Sequence, residues 1–212
     1  MSGTDFSLDP QKYRSPVVLI IDMQNEYCNA DGWLQKKLGI DVGRGIAIIP
    51  RVRTLIEFAR ENGLPVIFTR MTIRPDLLDA GLFPETRPPY REGGLRAGTW
   101  GVDVVDELKP LPHEPVVDKH RFNAFLGTDL EQLLWGYRAD SVIVAGVATH
   151  LCVGTTATDA TQRGFRLVLL KDCTASYAEK FETAMFDIVE SGFGTVLGSE
   201  DFFDFWRRRG DA

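Results

Sequence analysis

The chain has 212 residues, of which 44 % are hydrophobic and 25 % charged, with a formal net charge of -6; these are the proportions of one ordinary globular domain with a core of its own. An acidic balance disfavours nucleic acid or an anionic membrane as partner, because both recruit basic surfaces. No apolar stretch is long enough to cross a bilayer, and the opening MSGTDFSLDP lacks the basic and apolar regions of a secretory signal, so a cytoplasmic protein is expected. Cys28, Cys152 and Cys173 are an odd number with no CxxC pair. They argue against a disulfide framework and a structural zinc site, and are expected to be reduced.

Residues 1–16 are polar, contain Pro10 and Pro16, and read as an extended N-terminal arm. The run 17–21 reads as a first strand ending on Asp22, followed by the loop NEYCNADGWL. Ile48, Val52, Leu55, Ile56 and Ala59 recur at helical spacing and predict a helix over about 46–61, with Pro50 in its first turn and Gly63 past its end. PVIFT, 65–69, reads as the second strand. The regular pattern then breaks from 70 to 99, a segment holding Pro75, Pro84, Pro88 and Pro89 and Arg70, Arg74, Arg87, Arg91 and Arg96. A loop this long covers a site, contacts a neighbouring subunit or is a solvated excursion. Its arginine excess points towards an anionic substrate group.

A short helix is expected over 102–108, before Pro110 and Pro112, then a strand over 116–118 and a helix over about 129–136 capped by Thr128 or Asp129. The run 141–145 predicts a fourth strand. The helix after Cys152 should turn Val153, Thr156, Ala157 and Ala160 inward and stop at Gly164. A strand over 166–170, a helix over 179–191 and a short strand over 195–197 follow, and FFDFWRRRG closes the chain with an apolar cluster and a basic tail. Alternating strands and helices imply a parallel sheet covered on both faces, with strand order left open.

Three strand ends carry the chemistry. VIVAGVATHLCVGT runs from an apolar stretch through a glycine-containing turn to Cys152, where a helix is expected to begin. The unpaired N–H groups and dipole of a helix N-terminus favour thiolate, the form of cysteine that attacks carbonyls. VVLII ends on Asp22 and PVVD on Lys119. Parallel strands bring such ends to one edge, where open α/β sheets place their ligands. Amide hydrolysis through cysteine needs a thiolate, a group that takes and returns protons, and donors for the oxyanion. Asp22 suits the proton transfer, Lys119 would hold that carboxylate and favour the thiolate, and backbone N–H groups at and before Cys152 would receive the oxyanion. The plain alternatives are a helix-capping aspartate, a solvated lysine and a packed cysteine.

Arg70, Gln24, Asn25 and Trp100 are the candidate substrate contacts, although Gln24 and Asn25 equally suit ordering of the loop. Tyr27, Trp33, Phe125 and Trp100 either wall a pocket or fill the core. His150, two positions before Cys152, is read as non-catalytic, His113 and His120 as loop residues, and Cys28 and Cys173 as packing.

From residue 17 to about 198 the sequence resembles the isochorismatase-like cysteine hydrolases. The resemblance is carried by IIDMQNEY with Asp22, DKHRFNAF with Lys119 and GVATHLCV with Cys152, in the family's order. It implies a three-layer, Rossmann-like α/β/α fold with a mainly parallel six-stranded sheet, forming one domain over 1–212. It also implies a catalytic triad of Asp22, Lys119 and Cys152, a thioester-type intermediate, an oxyanion hole from the N–H groups of Ala148 and Cys152, and a non-proline cis peptide between Val147 and Ala148. No cofactor or metal is implied, and a homo-oligomer, dimer or tetramer, is expected, with which the apolar C-terminal cluster is compatible.

Two departures narrow the expectation. Nicotinamidases of this family place an Asp and two His around a metal after the second strand, whereas TRMTIRPDLLD has no histidine. Isochorismatases that cleave a vinyl ether lack the nucleophilic cysteine, so the C–N bond of a small amide, ureido or carbamoyl compound is the expected target. DMQNEY, GWL and TWGVDVVDELKP look most like the ureidoacrylate and biuret amidohydrolases. The alternatives are a catalytically silent member that binds a metabolite or partner protein, a vinyl-ether hydrolase, and a redox thiol protein, for which no resolving cysteine lies nearby.

Overall fold

The structure, a computed structural model, describes residues 8–209. Its centre is a six-stranded, wholly parallel sheet of β1 (Pro16–Ile21), β2 (Val66–Met71), β3 (Val116–Lys119), β4 (Ser141–Val147), β5 (Arg166–Ala175) and β6 (Thr195–Leu197), in the order β3-β2-β1-β4-β5-β6. The order reverses between β1 and β4, which opens a crevice at the carboxyl end of those two strands.

Alternate residues of each strand supply two cores. Val18 and Ile20 of β1, Phe68 of β2 and Ile143 of β4 pack with Val52, Leu55 and Phe58 of α4 (Ile49–Glu61) and with Phe202 and Phe203 of α9 (Ser199–Arg209). On the other face, Val17, Leu19 and Ile21 meet α6 (Leu130–Gly136), α7 (Gly154–Gln162) and α8 (Glu179–Gly192) through Leu134, Ala157 and Val189. Burial on both faces is why β1 and β4 read as unbroken apolar runs rather than alternating ones. Each such side chain contributes roughly 1.5–3 kcal/mol of transfer free energy.

Several boundaries differ from the sequence expectation. The helix expected over 46–61 is two pieces, α3 (Gly43–Ala47) and α4, parted at Ile48. Pro50 lies in the first turn of α4, and a proline offers no N–H to a preceding turn and clashes with it. The helix expected over 102–108 is instead two 3-10 turns, Trp100–Val102 and Asp106–Leu108. Between them Val104 bridges Gln24 in antiparallel fashion, so the backbone there is committed to a partner outside the segment. The fifth strand continues through KDCTA to Ala175, where charged and small residues replace the apolar run.

Segment 70–99 forms a small core of its own. Ile73, Ala80, Tyr90 and Leu95 pack with Met71 of β2 and with Leu34 of α2 (Trp33–Leu38), beside α1 (Asn25–Cys28), and the segment includes the helical turn α5 (Phe83–Thr86). The C-terminal aromatic cluster is likewise used inside the chain, with Phe203 stacked on Phe58 at 4.2 Å and Phe205 edge-on to Tyr13 at 6.1 Å. Phe202, Phe203 and Phe205 are buried within the chain. Residues 1–7 of the expected N-terminal arm lie outside the described residues, as does the end of the basic tail. Among the described residues, no helix is long and apolar enough to cross a membrane.

Candidate active site

The three strand ends meet at the crevice. Asp22, immediately after β1, adopts a left-handed backbone conformation with φ 51°. Its N–H donates to the Thr69 carbonyl at 3.2 Å, and the Thr69 hydroxyl donates to Asp22 Oδ1 at 2.6 Å. Lys119 ends β3 and reaches across β2, with Nζ 3.9 Å from Met71 Sδ, to lie 2.7 Å from Asp22 Oδ2 while donating to the Arg121 carbonyl at 3.1 Å. Both side chains of this ion pair are fully buried. Each carboxylate oxygen of Asp22 thus has its own close partner, Oδ1 the Thr69 hydroxyl and Oδ2 the Lys119 ammonium.

Cys152 sits in one wide π turn, Thr149–Val153, which leads from β4 into α7. Its sulfur is in hydrogen-bonding contact with both Asp22 and Lys119. Gly146, at φ 119°, allows the close approach of β4 to β1 here, since a Cβ at that position would run into the Ile21 carbonyl oxygen. The following Val147–Ala148 peptide is cis.

Electrostatics correct one expectation. Burial and the neighbouring Asp22 push the Cys152 thiol up to about 12, and Lys119 only partly offsets them. At neutral pH the resting side chain is therefore a thiol and not the thiolate expected at a helix N-terminus; desolvation outweighs the dipole. For Lys119, burial works against the ammonium, but the neighbouring Asp22 carboxylate, with Cys152 beside it, outweighs burial and its proton affinity rises. Asp22→Asn removes a charge that raises the thiol and leaves the lysine that lowers it. Iodoacetamide at pH 8 should therefore alkylate Cys152 at least several-fold faster in this variant than in wild type, since each unit of pKa is a tenfold change in thiolate. An unchanged or slower rate would show that Asp22 does not control the thiol.

Chain neighbours of Cys152 border two cavities, Val147 and Ala148 the first and His150 and Leu151 the second. Val147, Ala148, Tyr27, Asp41, Ser176 and Tyr177 line a small cavity of about 20 Å³, and Tyr27 and Tyr177 also border a wider groove of about 630 Å³, open to solvent, that includes Tyr90, Arg87, Phe122 and His150. Tyr27, Tyr90 and Tyr177 are all within electrostatic reach of Cys152, and burial raises each phenol.

The other sequence candidates are placed as follows. The Gln24 amide donates to the carbonyls of Met71 and Val102 at 3.0 and 2.9 Å and accepts from Met71 N–H at 2.7 Å, so it fastens the loops together. Asn25 donates to the Trp100 carbonyl at 2.9 Å, leaving the Trp100 side chain half-exposed. Arg70 is paired with Asp118 at 2.7 Å and Asp103 at 3.4 Å. Phe125 stacks on Phe165 in the core and Trp33 packs on Tyr90 at 5.4 Å, so of the named aromatics Tyr27 is the one bordering both cavities. His150 lies 2.5 Å from Ser176 Oγ and stacks on Phe181; burial lowers its proton affinity. His120 contacts the Thr72 carbonyl and Asp79, while His113 borders a separate surface groove. Cys28, 3.9 Å from Met23 Sδ, and Cys173 are buried.

Sequence reasoning passed over Thr69, Tyr90, Tyr177 and Glu26. Thr69 had a readable signal, being the polar end of PVIFT on a neighbouring strand. Glu26 lies beneath the loops, and burial pushes it up to about 7 although the N–H groups of Trp33 and Leu34 act the other way. Its Oε1 has no hydrogen-bond partner. The folded protein thus binds an extra proton between the ordinary carboxyl value of 4.5 and about 7, and stability falls as pH rises through that window, by on the order of 3 kcal/mol. Glu26→Gln should accordingly leave Tm almost unchanged at pH 4.5 and raise it by several degrees at pH 8; an equal difference at both would rule this out.

Residues 16–201 match the isochorismatase domain. The ureidoacrylate amidohydrolase RutB of Cronobacter sakazakii is 31 % identical over 202 residues, spanning 88 % of this chain and 86 % of the relative. The solved N-carbamoylsarcosine amidase of Thermoplasma acidophilum superposes with a TM-score of 0.72 at 29 % identity, covering 88 % of this chain and 97 % of the other. A cysteine hydrolase of Pseudomonas syringae pv. phaseolicola 1448A, with a TM-score of 0.86 at 24 % identity over 99 % of this chain and 100 % of its own, shares the fold. With a domain match over most of its length and a relative of this identity and coverage, the chain belongs to the isochorismatase family.

Proposed function

We propose that the protein is a cysteine-dependent amidohydrolase that cleaves the C–N bond of a small ureido or carbamoyl compound. The observation that carries this reading is the contact of the Cys152 thiol with Asp22 and with a fully buried lysine, one residue on from a groove walled by aromatic side chains that Leu151 borders. In the proposed cycle Asp22 Oδ2 takes the thiol proton as the sulfur attacks the substrate carbonyl. The N–H groups of Ala148 and Cys152 receive the oxyanion. Asp22 returns the proton to the departing nitrogen, which leaves as ammonia or an amine, and the acyl group remains on sulfur. Water, deprotonated by Asp22, then releases the acid and restores the thiol. Lys119 stays charged throughout and holds Asp22 in place.

A resting thiol with a strongly raised pKa suits this cycle, because proton transfer is coupled to attack and the nucleophile forms only when a carbonyl is there to receive it. Similarity to RutB and to N-carbamoylsarcosine amidase supports a ureido or carbamoyl substrate. The presence of the cysteine favours C–N cleavage over vinyl-ether hydrolysis. Ammonia release should be assayed over ureido acids, biuret, carbamoyl amino acids and nicotinamide. At least one ureido or carbamoyl compound is expected to exceed nicotinamide about a hundredfold in kcat/KM; release from nicotinamide alone, or from none of them, would overturn the reading.

A further inference from the structure

Segment 70–99 contains five arginines, and four of them have their guanidinium groups engaged. Arg70 is held by Asp118 and Asp103, Arg74 by Asp76, Arg91 by the Pro84 carbonyl, and Arg96 by the carbonyls of Gly94 and Tyr90. Arg87 is different. It borders the wide groove, its guanidinium carbon lying 5.0 Å from the centre of the Phe83 ring and 4.9 Å from that of Phe122. Its recorded hydrogen bond is to the neighbouring Thr86 hydroxyl at 3.2 Å, and among the described residues it pairs with no carboxylate.

The surroundings sharpen the point. No aspartate or glutamate borders this groove, whose lining is otherwise apolar, aromatic or neutral polar apart from His150, and burial disfavours the charged form of that histidine. The two rings shield the guanidinium on one side, and its planar fork of N–H donors has no carboxylate to engage. Such a fork matches a carboxylate, and a low-dielectric wall strengthens the attraction. Arg87, Tyr90 and Tyr177 border the same groove as His150 and Leu151, the two residues that precede Cys152 in the chain.

We infer that Arg87 is a specificity-determining residue that binds a carboxylate on the substrate, so that the enzyme selects ureido acids over neutral ureas. This inference rests on the amidohydrolase reading and names the substrate class of that same site. The test is calorimetric, in the Cys152→Ala background, with 3-ureidopropionate and its neutral methyl ester as probes. The acid is expected to bind at least tenfold more tightly than the ester. Arg87→Gln should reduce that ratio at least tenfold, and Arg87→Lys should restore part of it, since an ammonium keeps the charge without the fork.

Equal weakening of both probes by Arg87→Gln would mean that the arginine merely supports Phe83 and Phe122, and would overturn the inference. So would an unchanged ratio, or binding of neither probe. Turnover of both compounds by protein with Cys152 intact is read separately. Hydrolysis of the two without charge discrimination overturns the role of Arg87 alone, whereas hydrolysis of no ureido or carbamoyl compound overturns the amidohydrolase reading.

Discussion

Cys152→Ala protein should fold as wild type does and hydrolyse ureido or carbamoyl compounds at least about a thousandfold more slowly, because without the sulfur no acyl intermediate forms and only binding and oxyanion stabilisation remain. The structural cost is small. Cys152 packs with Val153, Ala157 and Met185 on the α7 and α8 face of the sheet, and losing one sulfur atom there removes little buried area. Tm should therefore move by only a few degrees while kcat collapses. Activity within tenfold of wild type, in purified protein with the substitution verified, would remove Cys152 from the mechanism. Unfolded protein would not answer the question, which is why circular dichroism and kinetics belong in the same experiment.

The second large effect concerns stability. Lys119→Met should cost about 3–5 kcal/mol, since it leaves the Asp22 carboxylate fully buried with the Thr69 hydroxyl but no counter-charge. Adding Asp22→Asn should recover most of that loss. The double variant has a neutral pair of similar volume, and replacing a buried ion pair by neutral groups is often close to isoenergetic. Urea unfolding of wild type, both single variants and the double variant closes the cycle, with a coupling energy of about 2 kcal/mol or more expected for groups 2.7 Å apart in a dry site. All three variants should be catalytically impaired, so the recovered stability separates the structural role of the pair from its chemical one. Additivity within about 0.5 kcal/mol would mean that Lys119 and Asp22 do not depend on each other.

Much of this architecture is legible in the sequence because burial on both faces of a parallel sheet leaves a strong local mark. β1 and β4 are apolar along their whole length, and the residue at or just past the end of a strand is easy to name, which is how Asp22, Lys119 and Cys152 were found. The break at Ile48 has only Pro50 as a local mark, since where a helix parts depends on what the next turn packs against. The last residues of β5, Lys171 to Ala175, escaped because the strand there is defined by pairing with β4 at Thr174 and Ala175 and not by hydrophobicity.

The site is legible in its centre and dark at its rim. Strand ends fix the acid, the ammonium and the sulfur, but Tyr90, Tyr177 and Arg87 come together through the packing of segment 70–99, whose small core with Leu34 and Met71 joins stretches distant in sequence. An arginine excess in that segment gave no means of telling which arginine is free. Arg70, the natural choice at the end of β2, is consumed by Asp118, the partner one residue before Lys119 on the adjacent strand. The thiol's protonation follows the same division: helix position is local information and favours the thiolate, whereas the depth of burial that opposes it belongs to the whole fold.

The most direct measurement of the central claim is rapid acid quench during turnover of a ureido or carbamoyl substrate, followed by peptide mapping with mass spectrometry. The expected result is one acyl group on the peptide bearing Cys152 and none on those bearing Cys28 or Cys173. An adduct on another residue, or sustained turnover with every cysteine peptide unmodified at the quench, would contradict it.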